Sequence, residues 1–523
     1  MRNQWDAISI GAGLGSLTAA ALLAKGGARV LVLERHDKPG GAATNFARKG
    51  ITVEVGLHEL DGMDSGDAKV KLLESLGVLQ QLTLIPVPEL YAVRFRVLGA
   101  EFVLPHGFEA ARLELTRKFP EFSNRISSFL QEVAALRKAV QVFGAADKNF
   151  WWWLVNGPLF FKRFRPLMQH DRTTVSEVMQ EYFGDNEAIK LALAANLGYY
   201  TDNPSDMGFL YFAVAQGSYL AGGGHYIQGG SQKLAEALVN VIKDNGGEVR
   251  LKRQVTGLQM QGGRVTSVTH AAANRIGSKS DKPLQDVVVE ATGLVLAGSA
   301  PEVTKDLLPP EAQTAFYQPF AGCQPSTSLW SIYLGLNRPA SDFGATAYST
   351  FVFPPWVTKL SDLSRDLLAS HPQGELPGYV LVDYSRIESG LAEPGKHFAT
   401  LCGNDHLTNW EGLSEDQYLE KKNAWMDALL AGLDQEFPGI KSSIFYAEMA
   451  TARTMKDYLN TPGGAVYGYR QHPSSQGRHR KGPGTSIPNL LLSSAFSQPG
   501  GGFTGAIFAG AIAARKAKGL LGG

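Results

Sequence analysis

Cysteine is scarce in this 523-residue chain, and the scarcity excludes two classes of protein. Only Cys323 and Cys402 occur, far apart in sequence, so they build no disulfide framework and lack the spacing of metal ligands. Such usage is typical of a reducing compartment. We therefore expect a cytoplasmic protein without a metal site.

Net charge and long apolar runs are lacking as well. Lys and Arg number 50 against 49 Asp and Glu, so a formal net charge of +1 provides no general attraction for nucleic acid. No run of about 18 apolar residues occurs, and no transmembrane helix is expected. No signal peptide is expected either, because Asp6 interrupts the amino terminus and the first apolar segment reads as a strand.

Apolar residues and glycine are present in quantity. Apolar residues make up 44% and charged residues 19%, as in a globular protein with a substantial core, and the length suits two or three domains. Many of the 58 glycines lie in loops, where a backbone without Cβ atoms can approach a ligand.

Residues 6–25 (DAISIGAGLGSLTAAALLAK) carry the strongest functional motif, a strand that runs through a glycine turn into a helix. Gly11 permits the tight turn, Gly13 lets the backbone approach phosphates, and Ser16 stands where the pattern has a third glycine. Glu34 ends the next strand, 23 positions after the first glycine. This pattern predicts a dinucleotide site, with the pyrophosphate on the helix amino terminus and a ribose on the carboxylate; the alternative is a structural turn without ligand.

The loop after the ribose acid distinguishes FAD from a nicotinamide cofactor. RHDKPGGAATNF contains Gly40 and Gly41, and this second glycine pair resembles the extended signature of the FAD-containing amine oxidase and phytoene desaturase superfamily. In that superfamily the loop returns along the FAD diphosphate. The acid Glu34 argues against a 2′-phosphate, and no second GxGxxG appears in the sequence, so we expect FAD and no separate nicotinamide domain.

Two later segments add to the resemblance. Residues 221–255 resemble the segment by which phytoene-desaturase-like chains return to the FAD domain, and Val255 would then contact the adenine side. PGGGFTGAIFAG resembles the carboxyl-terminal signature of the phytoene desaturase, carotenoid isomerase and retinol saturase group, whose helix, starting near Gly502, would point its amides at the flavin pyrimidine. Members of this group often carry an acidic residue that contacts the FAD ribityl chain, at the position where residues 493–496 of this chain read SSAF. This departure puts the ribityl contact in doubt for this chain.

The resemblance implies one FAD site assembled from both ends of the chain and from the return segment. Its cofactor-binding residues would be Gly11, Gly13, Leu14, Gly15, Ser16, Glu34, Arg35, Gly40, Gly41, Ala42, Val255, Gly501, Gly502, Phe503 and Thr504.

Three residues are candidates for a catalytic role near the flavin. His58 lies in VGLHEL, which resembles the stretch near the isoalloxazine ring and is closer to the retinol saturase branch than to the plant carotenoid isomerase branch. His225 stands beside the glycine-rich loop, and Thr454 lies in a segment that resembles one beside the isoalloxazine. The alternatives are a buried structural histidine for His58 and a helix cap for His225.

These motifs predict an α/β protein with a Rossmann-type FAD-binding domain, built from discontinuous segments, and an inserted α+β substrate-binding domain. We assign residues 1–68, 221–304 and 446–523 to the FAD-binding domain. Residues 69–220 and 305–445 would form the substrate-binding domain.

Residues 147–170 (DKNFWWWLVNGPLFFKRFRPLMQH) are the most unusual part of that second domain. Aromatic rings beside lysine and arginine suit a membrane interface, although the stretch is too short and too polar to span a bilayer. The alternatives are the lining of an apolar substrate tunnel and a plain core helix. Peripheral contact with a membrane is therefore expected of this cytoplasmic protein.

The resemblance implies an FAD-dependent oxidoreductase that acts on carbon–carbon bonds of a hydrophobic polyene, carotenoid, retinoid or related isoprenoid lipid. Desaturation, saturation and cis–trans isomerisation share these motifs, with His58 favouring saturation slightly. One alternative is an amine-oxidase-like enzyme acting on a C–N bond, which predicts an aromatic cage and often a lysine-held water near the flavin. Another is a non-catalytic FAD-bearing scaffold or lipid carrier. The electron donor or acceptor stays open.

Overall fold

Two large sheets dominate the architecture. The computed structural model describes residues 5–57, 59–95, 99, 101–145, 154, 164–274 and 285–522. Within these ranges the strands are β1 (Trp5–Ile10), β2 (Val30–Leu33), β3 (Asn45–Arg48), β4 (Ile51–Glu54), β5 (Leu60–Asp61), β6 (Leu84–Pro86), β7 (Tyr91–Phe95), β8 (Phe102–Leu104), β9 (Gly224–Ile227), β10 (Glu248–Arg250), β11 (Arg253–Gln261), β12 (Arg264–Ala272), β13 (Val288–Ala297), β14 (Ser328–Leu336), β15 (Ser349–Phe353), β16 (Tyr379–Asp383), β17 (His397–Asp405), β18 (Ile444–Ala450) and β19 (Leu490–Leu492).

Helices cover the faces of these sheets. They are α1 (Leu14–Lys25), α2 (Ala68–Leu76), α3 (Phe108–Lys118), α4 (Ser123–Ala145), α5 (Arg165–Gln169), α6 (Val175–Phe183), α7 (Glu187–Leu193), α8 (Phe209–Gly222), α9 (Gln232–Asp244), α10 (Pro301–Asp306), α11 (Pro310–Tyr317), α12 (Glu415–Glu436), α13 (Ala452–Leu459) and α14 (Gly502–Leu521). No described helix combines the length and the apolar character that crossing a membrane requires.

The first sheet has the strand order β10-β2-β1-β13-β12-β11, with β19 beside β13. The pairs β10–β2, β2–β1, β1–β13 and β13–β19 are parallel, whereas β11, β12 and the start of β13 form an antiparallel extension. The residues of β2, VLVL, are all buried, as expected of a parallel strand that is covered on both faces.

Helices α1, α9 and α14 pack on one face of this sheet and bury an apolar cluster there. Small residues allow α1 and α14 to approach closely. A Cβ at Gly510 would lie 2.1 Å from the Gly15 carbonyl oxygen, and a Cβ at Gly15 would lie 2.2 Å from the Ser493 carbonyl oxygen. The helix that follows the glycine turn is therefore locked between the carboxyl-terminal helix and the end of β19.

The second sheet has the order β18-β14-β17-β16-β15-β7-β8 and is antiparallel except for the pair of β15 with β7. Its longest pair, β14 with β17, runs from Ser328 opposite Asp405 to Leu336 opposite His397. Helix α12 contributes Trp425 and Leu429 to the cluster buried on one face. The Ser414 hydroxyl accepts from the Gln417 N–H in a capping box, which explains why this helix starts there.

A third, small sheet connects the two halves. Strand β9 pairs with β5 on one side and with β6 on the other. It places residues 60–61 next to Gly224 and His225, at the junction of the two large sheets. The small sheet positions the polar side chains described below.

The predicted fold class is confirmed: strands from separated parts of the chain form a Rossmann-type sheet, and a second α+β unit is inserted. The domain limits remain a prediction, and two observations favour different limits from those that the sequence suggested. Strand β18, which contains residue 446, pairs with β14 of the second sheet. Leu308 and Phe316, predicted to lie in the substrate-binding domain, pack with Ile8 of the first sheet. We therefore propose limits roughly at residues 325 and 450 instead of 304 and 445.

Candidate functional site

A cavity of about 1400 Å³ opens where parallel strands of the first sheet end. Ile10 ends β1, Leu33 ends β2, Gly298 follows β13 and Ser493 follows β19, and all four line the cavity. Ligands of open parallel sheets bind outside the carboxyl ends of the strands. The structure brings all fifteen predicted cofactor-binding residues together on this wall.

The glycine turn presents backbone to the cavity. Gly11 has φ +88°, a left-handed conformation that favours glycine, and a Cβ at Gly11 or Gly13 would meet no atom within 4 Å. Gly13 is the N-cap of α1, so the unpaired N–H groups of the first helical turn lie beside it. These features fit a dinucleotide pyrophosphate, which needs close backbone approach and N–H donors.

The second glycine pair forms the opposite side of this turn. The Gly40 N–H donates to the Ala12 carbonyl oxygen at 2.8 Å. Gly41 has φ +63°, and a Cβ there would lie 3.2 Å from the Cα of Gly13. The two predicted glycine motifs are thus in direct contact, and a side chain in the second would press on the first.

Glu34 lies at the end of β2 with its carboxylate held by two backbone donors. One oxygen accepts from the Ala12 N–H at 2.7 Å and the other from the His36 N–H at 2.8 Å. The residue is 6% exposed and lines the cavity. The remaining lone pairs of its oxygens are available to the hydroxyls of a ribose.

Arg35, the neighbouring predicted contact, makes bonds to the protein itself. Its guanidinium donates to the carbonyl oxygens of Asp457 at 2.8 Å and Tyr458 at 2.6 Å. Burial lowers the pKa of Arg35, and the charges of Glu34 and Asp457 oppose that shift. Arg35 therefore ties the ribose end of the cavity to the end of α13.

The start of α14 forms the far side of the cavity. Gly502 has φ +75° and faces open space, and the Tyr211 hydroxyl donates to the Gly501 carbonyl oxygen at 3.1 Å. A Cβ at Gly501 would lie 2.4 Å from the Tyr467 carbonyl oxygen, so only glycine fits there. The Thr504 hydroxyl donates to the Asp61 carboxylate. This helix terminus offers N–H groups and a positive dipole end to the cavity.

A buried arginine supports the loop before α14. Arg480 is 5% exposed and donates to the carbonyl oxygens of Ala495 at 2.8 Å, Tyr469 at 3.1 Å and Ser497 at 3.3 Å. Burial lowers its pKa to about 10. Among the described residues no carboxylate lies within 4.0 Å of this guanidinium. Its positive charge behind the cavity wall would favour an anionic ligand group.

Two of the three catalytic candidates, His225 and Thr454, lie among the described residues, and neither lines the cavity. His58 lies outside the described residues. His225 lies on β9 and does not line the cavity, and burial, followed by His106 and Lys69, lowers its pKa. Thr454 lies in α13, where its hydroxyl accepts from the Thr451 N–H at 3.2 Å, a capping role away from the cavity. Catalysis by His225 or Thr454 stays a prediction without geometric support.

Five polar residues line the inner part of the cavity: Glu59, Asp61, Tyr199, Tyr200 and Tyr219. The sequence had suggested Tyr199 and Tyr200 as residues that could line a pocket, whereas Glu59, Asp61 and Tyr219 were missed. The signal for Glu59 was present, because it follows His58 in VGLHEL. The tyrosines lie in helices and turns, where aromatic residues at helical spacing more often belong to a core.

An apolar arm continues from this inner part. It lies between α4, α5 and α8, and its wall includes Val140, Leu167, Met168, Leu210 and Val214. Burial raises the pKa of Tyr199, Tyr200 and Tyr219 well above the ordinary value, so these phenols keep their protons. The arm therefore suits a long apolar molecule that is in contact with neutral hydroxyls.

Replacement Glu34→Gln is expected to weaken FAD binding roughly tenfold, because a hydrogen bond to a charged group contributes about 1.5–3 kcal/mol. The amide oxygen can still accept from the Ala12 N–H while the His36 N–H loses its partner, so the melting temperature of the apoprotein should fall only modestly. Fluorescence quenching of FAD on titration with apoprotein measures the dissociation constant. Glu248→Gln, an exposed carboxylate paired with Arg250, is the control, and equal affinities for both variants would contradict the assignment.

Comparison with known proteins agrees with the geometry. The family model described as flavin containing amine oxidoreductase matches residues 17–517. The chain is 26% identical over 542 residues to prolycopene isomerase of Daucus carota, covering 99% of this chain and 81% of that protein. It is 24% identical over 519 residues to all-trans-retinol 13,14-reductase of Homo sapiens, with 93% and 81% covered. An oxidoreductase from Methanosarcina mazei shares the fold, with a TM-score of 0.62, 16% identity and coverage of 97% and 98%.

Proposed function

Because the chain belongs to the flavin containing amine oxidoreductase family, we propose that it uses FAD to act on carbon–carbon double bonds of a hydrophobic polyene. The observation that carries this proposal is the apolar arm, which belongs to the same cavity as the dinucleotide motifs. A polyene extended along the arm would bring its double bonds to the flavin end. Holding the reacting atoms in such a geometry is itself a large part of catalysis.

The substrate class follows from the relatives and from the lining. One relative is named for isomerisation of prolycopene and another for reduction of all-trans-retinol, which supports a carotenoid or retinoid. An amine substrate has less support. Among the described residues no lysine lines the cavity, whereas the amine-oxidase alternative predicts a lysine-held water near the flavin.

FAD, when bound, supplies hydride transfer. The chain would contribute binding and orientation: the amino termini of α1 and α14 hold the phosphates and the pyrimidine edge, and Glu34 holds the ribose. The aliphatic side chains of the arm would exclude water and align the polyene. Such a site needs few acid–base groups, and those that it has should lie between the arm and α14.

The route by which a lipid would enter also has structural support. Most of the aromatic stretch 147–170 lies outside the described residues. At its described end, Phe164, Leu167 and Met168 line the cavity, and Met168 is 53% exposed. We propose that this end forms the mouth of the arm. Peripheral contact with a membrane and a cytoplasmic location stay predictions.

The visible spectrum of the FAD-loaded protein tests the proposal. Under anaerobic conditions, protein reduced with one equivalent of dithionite is mixed with carotenoids, retinoids and, as a control, quinones. Oxidised protein is mixed with the same polyenes and, as a control, with primary amines. We expect a polyene to reoxidise the flavin or to be isomerised without net redox change, because the arm aligns it with the ring. Oxidised protein bleached by a polyene would indicate a desaturase.

Each negative result has a defined meaning. Bleaching by an amine but not by any polyene would favour the amine-oxidase alternative. If no polyene reduces or reoxidises the flavin, and no polyene is isomerised, the remaining interpretation is a non-catalytic FAD scaffold or lipid carrier. Protein purified without flavin and unable to bind it would overturn the assignment of the site itself.

A further inference from the structure

Glu59 lines the same cavity as the apolar arm and the start of α14. It immediately precedes β5, whose backbone pairs with β9. Its carboxylate lies over Gly224 of β9, where a Cβ would come within 2.6 Å of a Glu59 oxygen. Tyr219 of α8 lies beside the same point, with a ring carbon 3.6 Å from that Cβ position. The absence of a side chain at Gly224 thus leaves room for the Glu59 carboxyl group.

The groups that face Glu59 do not compensate a negative charge. They are Asp61 of its own segment, Glu89 before β7, Tyr199 after α7, Tyr219 of α8, Tyr348 before β15 and Tyr384 after β16. Among the described residues, no group donates a hydrogen bond to its carboxylate and no cation pairs with it. Burial, followed by the charges of Glu89 and Asp61, raises the pKa of Glu59 to about 8.

Asp61, two residues further on, has a different environment although it lines the same cavity. Its carboxylate accepts from the Thr504 hydroxyl, and one oxygen lies 4.0 Å from the Lys69 ammonium. Glu59 has neither partner. Two carboxyl groups side by side in one site, one with a cation and one without, are the arrangement in which an enzyme keeps one of them as an acid.

We propose that Glu59 is a catalytic residue, the acid that donates a proton to a substrate carbon, and that the enzyme therefore works in the direction of double-bond reduction. This inference rests on the proposed function and adds the direction of the reaction, which is reduction of the double bond. A cavity-lining carboxyl group that has neither a hydrogen-bond donor nor a cation among the described residues keeps its proton and can give it to a substrate, whereas desaturation would need a base. The neighbouring tyrosines keep their protons as well and offer no base.

The step balances as the addition of two hydrogens to one double bond. The π bond breaks, and one carbon receives a hydride whose electron pair comes from the two-electron-reduced flavin. The O–H bond of Glu59 breaks, and its proton forms the second C–H bond. The resulting carboxylate regains a proton from water, and a two-electron donor such as dithionite restores the reduced cofactor.

The first test compares Glu59→Gln with Glu59→Asp and with Glu420→Gln, which makes the same change at an exposed surface residue. Reoxidation of reduced protein by the reactive polyene is followed over a range of pH. We expect Glu59→Gln to lower the rate by about 10²–10⁴-fold and Glu59→Asp to retain more activity. The wild-type rate should fall as the pH rises through about 8. In Glu59→Gln this dependence should vanish.

The second test does not depend on turnover. Infrared spectroscopy of the wild-type holoprotein at pH 7 should show the carbonyl band of a protonated carboxyl group in an apolar site. The band should be absent from Glu59→Gln and should disappear from the wild-type spectrum above about pH 8. Wild-type protein alone gives this titration, so the test stands even where a variant fails to fold.

Stability gives a third readout with a definite sign. The unfolded carboxyl group ionises near 4.5 and the folded one near 8, so the wild type loses stability as the pH rises between these values. Glu59→Gln cannot lose stability in this way. The melting temperature of the variant relative to the wild type should therefore rise through this window and level off above it.

The outcomes separate the two proposals. If neither reduced nor oxidised wild-type protein reacts with any polyene, the proposed function fails and the role of Glu59 in it fails as well. If only the oxidised protein reacts, the enzyme desaturates its substrate and the assigned direction alone is overturned. If the wild type is reactive and Glu59→Gln reacts at the same rate, with the same pH profile as Glu420→Gln, only the assignment of Glu59 is overturned. Isomerisation without net reduction by the wild type would overturn the assigned direction.

Discussion

Replacement Gly15→Ala is expected to yield protein that neither folds stably nor retains FAD. The new Cβ would lie 2.2 Å from the Ser493 carbonyl oxygen and 3.0 Å from that of Ala506, and both are backbone atoms that cannot rotate away. Alanine gains about 1 kcal/mol over glycine in a helix. Overpacking of a tight core costs about 1–3 kcal/mol or more, so the collision should outweigh the gain.

Gly13→Ala makes the identical chemical change two residues earlier and is the matched control for folding. Its Cβ would meet no protein atom within 4 Å, and Gly13 has φ −69°, which alanine adopts without strain. The methyl group would instead occupy the space that the pyrophosphate needs. We expect a folded apoprotein with FAD affinity lowered roughly 10- to 100-fold, the equivalent of the overpacking cost.

Thermal unfolding and the flavin absorbance of the purified proteins distinguish the two effects. A large loss of melting temperature is expected for Gly15→Ala, and loss of flavin with a nearly native melting temperature of the apoprotein for Gly13→Ala. If Gly15→Ala retained flavin and wild-type stability, the close contact of α1 with α14 would be wrong. If Gly13→Ala bound FAD normally, the pyrophosphate would not lie at this helix terminus.

Local patterns explain why the cofactor end of the site could be read from the sequence. Gly11, Gly13 and Glu34 belong to one βαβ unit, whose geometry follows from short-range spacing. The start of α14 was likewise readable, because glycines and an apolar helix follow each other directly. Such motifs need no knowledge of the rest of the fold, and the structure brings them to one cavity.

Contacts between distant segments explain what the sequence did not reveal. Strand β18 looks like any short apolar strand, and only its pairing with β14 assigns it to the second sheet. Thr454 was predicted at the flavin on the strength of a neighbouring motif, whereas its side chain caps α13 and its neighbour Met455 lines the cavity. The environment of Glu59 depends on residues 30 to 325 positions away, from Glu89 to Tyr384.

The buried Lys69 network is a further feature that sequence reasoning did not foresee, since lysine in an amphipathic helix is usually exposed. The Lys69 side chain is 0% exposed, and its ammonium donates to Asp67 at 2.9 Å and to the Asp61 carbonyl oxygen at 2.5 Å. Burial by itself would raise the pKa of Asp67, but the Lys69 charge and the bonds from the Lys69 and Met63 N–H groups lower it.

Replacement Lys69→Met is expected to lower the free energy of unfolding by about 3–5 kcal/mol, because removing one partner leaves an uncompensated buried charge on Asp67. Urea unfolding of the apoprotein measures this loss. Lys71→Met, an exposed lysine on the same helix, should change it little. The double variant Lys69→Met/Asp67→Asn should regain part of the stability, since it removes the uncompensated charge while its amide oxygen can still cap α2.

The effect of Lys69→Met should extend to the cofactor-binding site. The Asp61 carboxylate accepts a hydrogen bond from the Thr504 hydroxyl at the start of α14 and lies 4.0 Å from the Lys69 ammonium. Without that ammonium, the Asp61 carboxylate that accepts from Thr504 loses the cation 4.0 Å away. We expect weaker FAD retention in Lys69→Met than in Lys71→Met. Unchanged retention and unchanged stability together would show that the buried ammonium supports neither the fold nor the start of α14.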